Sequence, residues 1–183
     1  MSAEGAKEPT RPTEVNHGQA RRMVLAVVTA MAVLVLDQLT KLLALERLVP
    51  GVPVSVVDGF FSLTLIMNPG LAFGMLSSTP TSWRWVVAVL SMAALAVLAV
   101  VGARLLPSGG WMTRLALGLI FGGAVGNLVD RGRFGAVTDF LDFYWRGYHW
   151  PAFNLADSAI SVGVALLALR ILWPARTAPS LSQ

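Results

Sequence analysis

Four apolar runs govern what this chain can become: about Met23 to Leu45, Trp83 to Leu106, Trp111 to Val129 and Phe153 to Trp173. Each approaches or exceeds the roughly 18 to 20 residues that a helix needs to cross a bilayer. A chain of 183 residues that is 55% hydrophobic and 13% charged is not an ordinary globular domain. The sequence therefore predicts an all-α membrane protein with four transmembrane helices in one domain over residues 23–173. Residues 1–22 are polar, contain proline and show nothing periodic to bury, which predicts a disordered cytoplasmic tail. Residues 174–183 form a second, C-terminal cytoplasmic tail. Arg21-Arg22 ahead of the first run, with Ala30-Met31-Ala32 inside it, have the look of a cleaved signal peptide. The run, however, continues to about Leu45, longer than a signal peptide's apolar core, so an uncleaved signal anchor is expected.

Composition removes several classes of chemistry. Cysteine is absent, which excludes disulfides, thiolate nucleophiles, cysteine metal sites and a thiol for the chain's own lipidation. The net charge of +4 comes from scattered arginines rather than a basic block with interleaved aromatics, so nucleic acid is not an expected partner. Basic residues instead report orientation. Lys7, Arg11, Arg21, Arg22, Arg104, Arg114, Arg170 and Arg176 fall on one side of the spans, against Arg47, Arg84, Arg131, Arg133 and Arg146 on the other. This bias puts both termini in the cytoplasm. Every acid after Glu14 then lies on or toward the external side, which locates the chemistry there.

The Pro107-Ser108-Gly109-Gly110 segment is long enough only to join the second and third helices as an antiparallel hairpin, whereas the two external segments are long. In residues 46–82, Val52 to Val57 and Phe60 to Ile66 are β-branched and aromatic and flank Asp58-Gly59, a hairpin dipeptide, so a small external β-sheet is expected. Residues 131–152 carry Phe134, Phe140, Phe143, Tyr144, Trp145, Tyr148 and Trp150, and are expected to lie along the headgroup layer as an interfacial loop.

Asp130, Asp139 and Asp157 fall within 28 residues of one another, two of them in or at the end of apolar runs. A carboxylate at membrane depth costs roughly 2.5 to 3.5 kcal/mol on insertion scales, so such groups face a protein interior or a wet cavity and mark function. Asn127 stands three residues before Asp130, and Asn154 three before Asp157. Structural roles compete. Asn154 and Asp157 have the spacing of an N-cap and its capping-box partner. Asp130 adjoins Arg131 and suits an ion pair at a helix end. Asp37 and Lys41 form an i, i+4 pair that neutralises both charges in the membrane. Asp142 reads as a solvated interfacial acid. Gly118, Gly122 and Gly126 strip one helix face for close packing, with Gly123, Asn127 and Asp130 on the adjacent stripe.

No Gly-x-Ser-x-Gly elbow, His-Glu-x-x-His pair or phosphate-binding glycine loop occurs, and His17 and His149 lie near no plausible ligand set, so neither a metal nor a cofactor is expected. A serine/lysine scheme would use Lys41 with Ser158 or Ser161, but leaves the asparagines and aspartates unexplained. A proton-coupled transporter or relay would also use buried acids, but predicts acids spread across the membrane depth and internal repeats, neither of which the sequence shows.

Five blocks carry a resemblance: Asp37-Gln38-Leu39-Thr40-Lys41, Asn68-Pro69-Gly70-Leu71-Ala72-Phe73, Gly122 to Arg131 (GGAVGNLVDR), Val137-Thr138-Asp139-Phe140 and Pro151 to Ser158 (PAFNLADS). In order and in combination they resemble the lipoprotein signal peptidase family, signal peptidase II, over roughly residues 23–173. The resemblance implies a four-helix bacterial inner-membrane aspartic endopeptidase with an external β-cradle. Such an enzyme removes signal peptides from prolipoproteins before a diacylglyceryl-modified cysteine, so its partners are a lipid-modified prolipoprotein and membrane lipid. Matched motif by motif, it implies Asp139 and Asp157 as the catalytic pair. Asn68, Asn127, Arg131 and Asn154 are implied as polar positions that hold substrate and brace the pair, and Asp37 as structural support. Asp130 matches a further family acid; spacing does not decide between it and Asp139, and the resemblance assigns Asp130 to support. Leu71 departs from the small residue usual there, beside a variable Pro69.

Overall fold

The computed structural model describes residues 13–70, 82–106 and 109–173. Leu71, Pro107 and Ser108 lie outside them. Four helices form in the order expected: α1 (Thr13–Arg47), α2 (Ser82–Leu105), α3 (Trp111–Phe134) and α4 (Leu155–Leu172). All four are long and apolar enough to cross a membrane. A four-stranded antiparallel sheet accompanies them, built from β1 (Val54–Val57), β2 (Phe61–Asn68), β3 (Val137–Trp145) and β4 (Tyr148–His149), in spatial order β1-β2-β3-β4.

Two boundaries depart from the sequence expectation. α1 begins at Thr13, so residues 13–22, expected to be disordered, are helical. Helix nucleation is costly but propagation is not. Once the apolar run is helical, neighbours such as Gln19, Ala20, Arg21 and Arg22, all good helix formers, extend it. The second correction concerns residues 131–152, expected to form an interfacial loop. α3 runs on to Phe134, where Gly135 takes a left-handed conformation (φ +66°) and donates its N–H to the Arg131 carbonyl. The chain then enters β3, an inner strand of the sheet. The segment VTDFLDFYW is rich in β-branched and aromatic residues, and cross-strand pairing packs its rings against neighbouring strands. Leu141 stands across from Leu63 and Phe143 across from Phe61. Phe143 stacks on Phe61 at 4.6 Å and on Phe153 at 5.8 Å between centroids. Of the segment's aromatics, Trp145, Tyr148 and Trp150 stay exposed around the β3–β4 tip, and Phe134 at the end of α3.

The first hairpin forms as its dipeptide predicts. Gly59 adopts φ +77°, and Ser55 Oγ donates to Asp58 Oδ1 at 2.5 Å. The sheet is seated on the end of α1 by a small apolar cluster of Ala44, Leu65 and Phe140, joined by Leu45, Leu48, Leu63 and Leu141. α3 is the central helix, in contact with α1, α2 and α4. Its glycines explain how it packs so closely. A Cβ at Gly118 would meet the Ala26 carbonyl at 2.6 Å, one at Gly122 the Ala30 carbonyl at 2.5 Å, and one at Gly123 the Ala156 carbonyl at 2.5 Å. Two faces of α3 are thus cut back to backbone, one for α1 and one for α4.

Gly122→Val is therefore expected to force α1 from α3 and lower stability by about 1–3 kcal/mol, the usual penalty of overpacking. Gly132→Ala, whose Cβ would meet nothing within 4 Å, is the control and is expected to leave stability unchanged or slightly higher. Thermal unfolding of both variants in one detergent checks the contrast.

Candidate active site

The polar residues singled out in the sequence converge where α1, α3, α4 and β3 meet. Asp139, on β3, is 1% exposed and accepts one hydrogen bond on each oxygen: Asn154 Nδ2 at 2.7 Å and Asn68 Nδ2 at 2.9 Å. Asn68 ends β2, and its own Oδ1 accepts from the Gly70 N–H at 2.9 Å, so the amide is oriented by the turn that follows the strand. Asp157 is partly buried in the first turn of α4. Its Oδ1 accepts from Asn127 Nδ2 at 2.8 Å and its Oδ2 from the Asn154 backbone N–H at 3.3 Å. The Asn154 side chain in turn accepts from the Asp157 N–H at 3.0 Å, completing a capping box. The capping role read from the spacing is thus realised, and the same carboxylate remains joined to Asn127.

Asn154 is the hinge of the arrangement. Fully buried, it reaches Asp139, the Thr138 carbonyl and Asn127 Oδ1 from one amide nitrogen. The two aspartates are thereby joined through Asn154 both directly and by way of Asn127. Asparagine suits this because its amide offers donors and an acceptor with no charge of its own.

Behind the pair lies a buried ionic cluster. Lys41 Nζ stands 2.9 Å from Asp37 Oδ2 and 3.3 Å from Asp130 Oδ2, and donates to Asn127 Oδ1 at 2.9 Å. Asp37 also accepts the Ala156 N–H at 3.0 Å, which ties α1 to the start of α4. Asp130 accepts the Thr138 N–H at 2.8 Å and Gln38 Nε2 at 3.1 Å, tying α3 to β3 and α1. The expected Asp37–Lys41 pair forms. Asp130, expected to pair with Arg131, pairs with Lys41 instead, because successive residues of a helix point in different directions. The Arg131 guanidinium donates weakly to the Asn127 carbonyl at 3.4 Å, and its buried Nε has no partner among the described residues. It lies within electrostatic reach of Asp157, Asp139 and Asp130.

Two other readings meet obstacles. All three protons of the Lys41 ammonium face acceptors, and Ser158 Oγ donates to the Asn154 carbonyl at 3.0 Å, so neither is disposed as half of a serine/lysine pair. Asp142, read as a solvated acid, is buried. It accepts from Ser62 at 3.3 Å and Thr64 at 3.2 Å and contacts His149 Nδ1 at 2.8 Å, because strand pairing turns it toward β2 and β4. Its partners lie 80, 78 and 7 residues away in sequence, beyond what local spacing can disclose. Among the described residues no three His, Asp or Glu side chains are grouped to hold a metal ion.

Burial pushes the Asp139 carboxyl up from 3.8 to about 6. The Asn68 hydrogen bond opposes this, the neighbouring Asp157 adds to it, and Asn154 and Lys41 oppose it again. Desolvation disfavours the charged form, and a second carboxylate nearby disfavours it further.

The family model described as "Signal peptidase (SPase) II" matches residues 29–173 of the chain. Among similar curated proteins, the "Lipoprotein signal peptidase" of Geobacter metallireducens is 47% identical over 149 residues, covering 81% of this chain and 90% of that protein. The protein of the same name from Symbiobacterium thermophilum is 43% identical over 150 residues, covering 81% and 95%. Among solved structures, a bacterial membrane enzyme determined by the in meso method at 1.9 Å resolution aligns with a TM-score of 0.66 at 29% identity, covering 82% of this chain and 94% of that one.

The raised Asp139 carboxyl has a consequence for stability. The folded state holds this proton more tightly than the unfolded chain, so the contribution is complete below 3.8 and is lost as pH rises through about 6. The stability of the wild type relative to Asp139→Asn is expected to fall across that window and to be level on either side. Thermal unfolding of both proteins from pH 3.5 to 8 measures it; a difference independent of pH would contradict the assignment.

Proposed function

The chain belongs to the signal peptidase II family of membrane peptidases, and from that premise we propose that it cleaves diacylglyceryl-modified prolipoproteins before the lipid-modified cysteine, using Asp139 and Asp157 as an aspartic dyad. The observation that carries this reading is the pair of carboxylates, one desolvated and titrating near 6, joined by shared asparagine amides. Like charges in a site of low dielectric do not both ionise readily, so such a pair retains one proton over a range of pH. Its buried, raised carboxyl makes Asp139 the holder of that proton. Asp157, the more open of the two and held by an amide N–H and a backbone N–H, is the partner assigned to the water.

The division of labour follows. Asp157 draws a proton from a water whose oxygen bonds to the scissile carbonyl carbon. Asp139 donates a hydrogen bond to the carbonyl oxygen as it gains charge. The C–N bond then breaks, and a proton passes from the dyad to the leaving amine. General acid-base assistance of this kind contributes roughly 10² to 10⁴-fold, with positioning and preorganised dipoles adding to it. The Arg131 guanidinium, within electrostatic reach of both aspartates, is suited to a substrate carbonyl, and Asn68, at the end of β2, to the extended peptide beside it. The substrate's acyl chains contribute about 0.8 kcal/mol per buried methylene, which holds the scissile bond near the membrane surface. The setting is the bacterial inner membrane. Both tails, residues 1–22 and 174–183, are on the cytoplasmic face, and the sheet and dyad are external.

Asp139→Asn and Asp157→Asn are each expected to abolish cleavage of a lipid-modified prolipoprotein by purified protein while leaving it folded, because asparagine keeps the volume but cannot take up or release the proton. Near-normal turnover by either variant would sink the dyad. For the orientation, Gly147→Cys at the exposed β3–β4 tip adds the sole thiol to a chain without cysteine. It is expected to react with an impermeant thiol reagent in spheroplasts; protection until the membrane is broken would reverse the topology.

A further inference from the structure

Lys41 is 2% exposed, sits on α1 in a membrane-spanning segment and touches neither aspartate of the dyad. Neutralising Asp37 would need only one of its contacts. Its third contact is with an uncharged group, the Asn127 amide oxygen, at 2.9 Å. That oxygen also accepts from Asn154 Nδ2 at 3.2 Å, which leaves Asn127 Nδ2 directed at Asp157 Oδ1 at 2.8 Å. An amide can be turned end over end at little steric cost, so its direction is set by its neighbours. Turned the other way, Asn127 would bring its NH₂ against the Lys41 ammonium and the Asn154 NH₂, and its carbonyl against the Asp157 carboxylate. Both contacts would be repulsive. Asp37 and Asp130 hold the ammonium from the far side, and are themselves fixed by the Ala156 and Thr138 backbone N–H groups.

We infer that Lys41 is a positioning residue for catalysis: its ammonium fixes the Asn127 amide with the N–H edge toward Asp157, and so delivers the hydrogen bond that orients that carboxyl group. The inference rests on the two-aspartate reading. It assigns Asp37 and Asp130 a further role, as the clamp that aims the lysine, and gives a reason for a lysine rather than a neutral residue at this depth. Hydrogen bonds to charged groups contribute about 1.5–3 kcal/mol, so losing this orientation corresponds to roughly ten- to hundredfold in kcat, with KM nearly unchanged because Lys41 lies behind the dyad.

The test is a double-mutant cycle on the full-length protein with a lipid-modified prolipoprotein substrate. Lys41→Met combined with Asp37→Asn removes the donor and leaves the net charge of the Lys41, Asp37 and Asp130 cluster at −1, as in the native chain. Lys41→Met alone is made alongside, and whichever of the two is recovered folded can carry the cycle. Each is measured in the native background and in Asn127→Ala, with Asp139→Asn and Asp157→Asn in the same assay. The expected result is a ten- to hundredfold loss of kcat in the native background that shrinks below about threefold once Asn127 is absent. Losses that multiply across the two backgrounds, or that appear only in KM or melting temperature, would overturn the positioning role. Turnover by the dyad variants would instead remove the reading beneath it, a result that the Lys41 variants do not mimic.

Discussion

A carboxylate buried away from water has to be met by donors at its oxygens, and much of this structure follows from that requirement. Asp37, Asp130 and Asp139 are each buried to 1% exposure or less, and each accepts hydrogen bonds from a different element of the chain. Asp37 receives a backbone N–H from α4, Asp130 one from β3, and Asp139 an amide from β2. The acids therefore serve as junctions. A buried ion pair is weak evidence for stability in itself, because desolvation consumes most of the attraction. Here the bonds join α1, α3, α4 and the sheet at one end of the bundle, and that is what fixes the relative placement of the site residues.

Close approach of the helices is the second condition. Hydrocarbon provides no solvent-driven force between apolar helices, so packing and polar contacts must suffice. The glycines of α3 bring backbone to backbone against α1 and α4. The effect reaches the site, since a Cβ at Gly126 would run into the Asp37 carboxylate. The space left by the missing side chains and the path of the hydrogen bonds thus belong to a single arrangement.

The four spans, the first hairpin and the Asp37–Lys41 pair were legible because each depends on local pattern: run length, a hairpin dipeptide, i, i+4 spacing. The five motif blocks led to the family and to the residues that converge. What stayed hidden depends on partners far away in the chain. β3 shows a strand's composition, but its aromatics also suited a headgroup loop, and only pairing with β2, some 75 residues earlier, decides between them. Asp142 needed Ser62 and Thr64 from that strand to become a buried acceptor. Asp130 and Arg131 looked paired because they are neighbours, whereas helix geometry sends Asp130 to Lys41. The start of α1 at Thr13 was obscured for another reason: a polar segment without periodicity can be helical simply by continuing a helix already formed.

In the proposed dyad the two aspartates share one proton, held on Asp139. Infrared difference spectra of the purified protein, titrated from pH 4 to 9 and compared with Asp139→Asn, examine that proton directly. The expected spectrum has a protonated carboxyl band that disappears as pH rises through about 6 and is missing from the variant. A native protein with no such band at pH 5, or one whose band persists unchanged in Asp139→Asn, would contradict it.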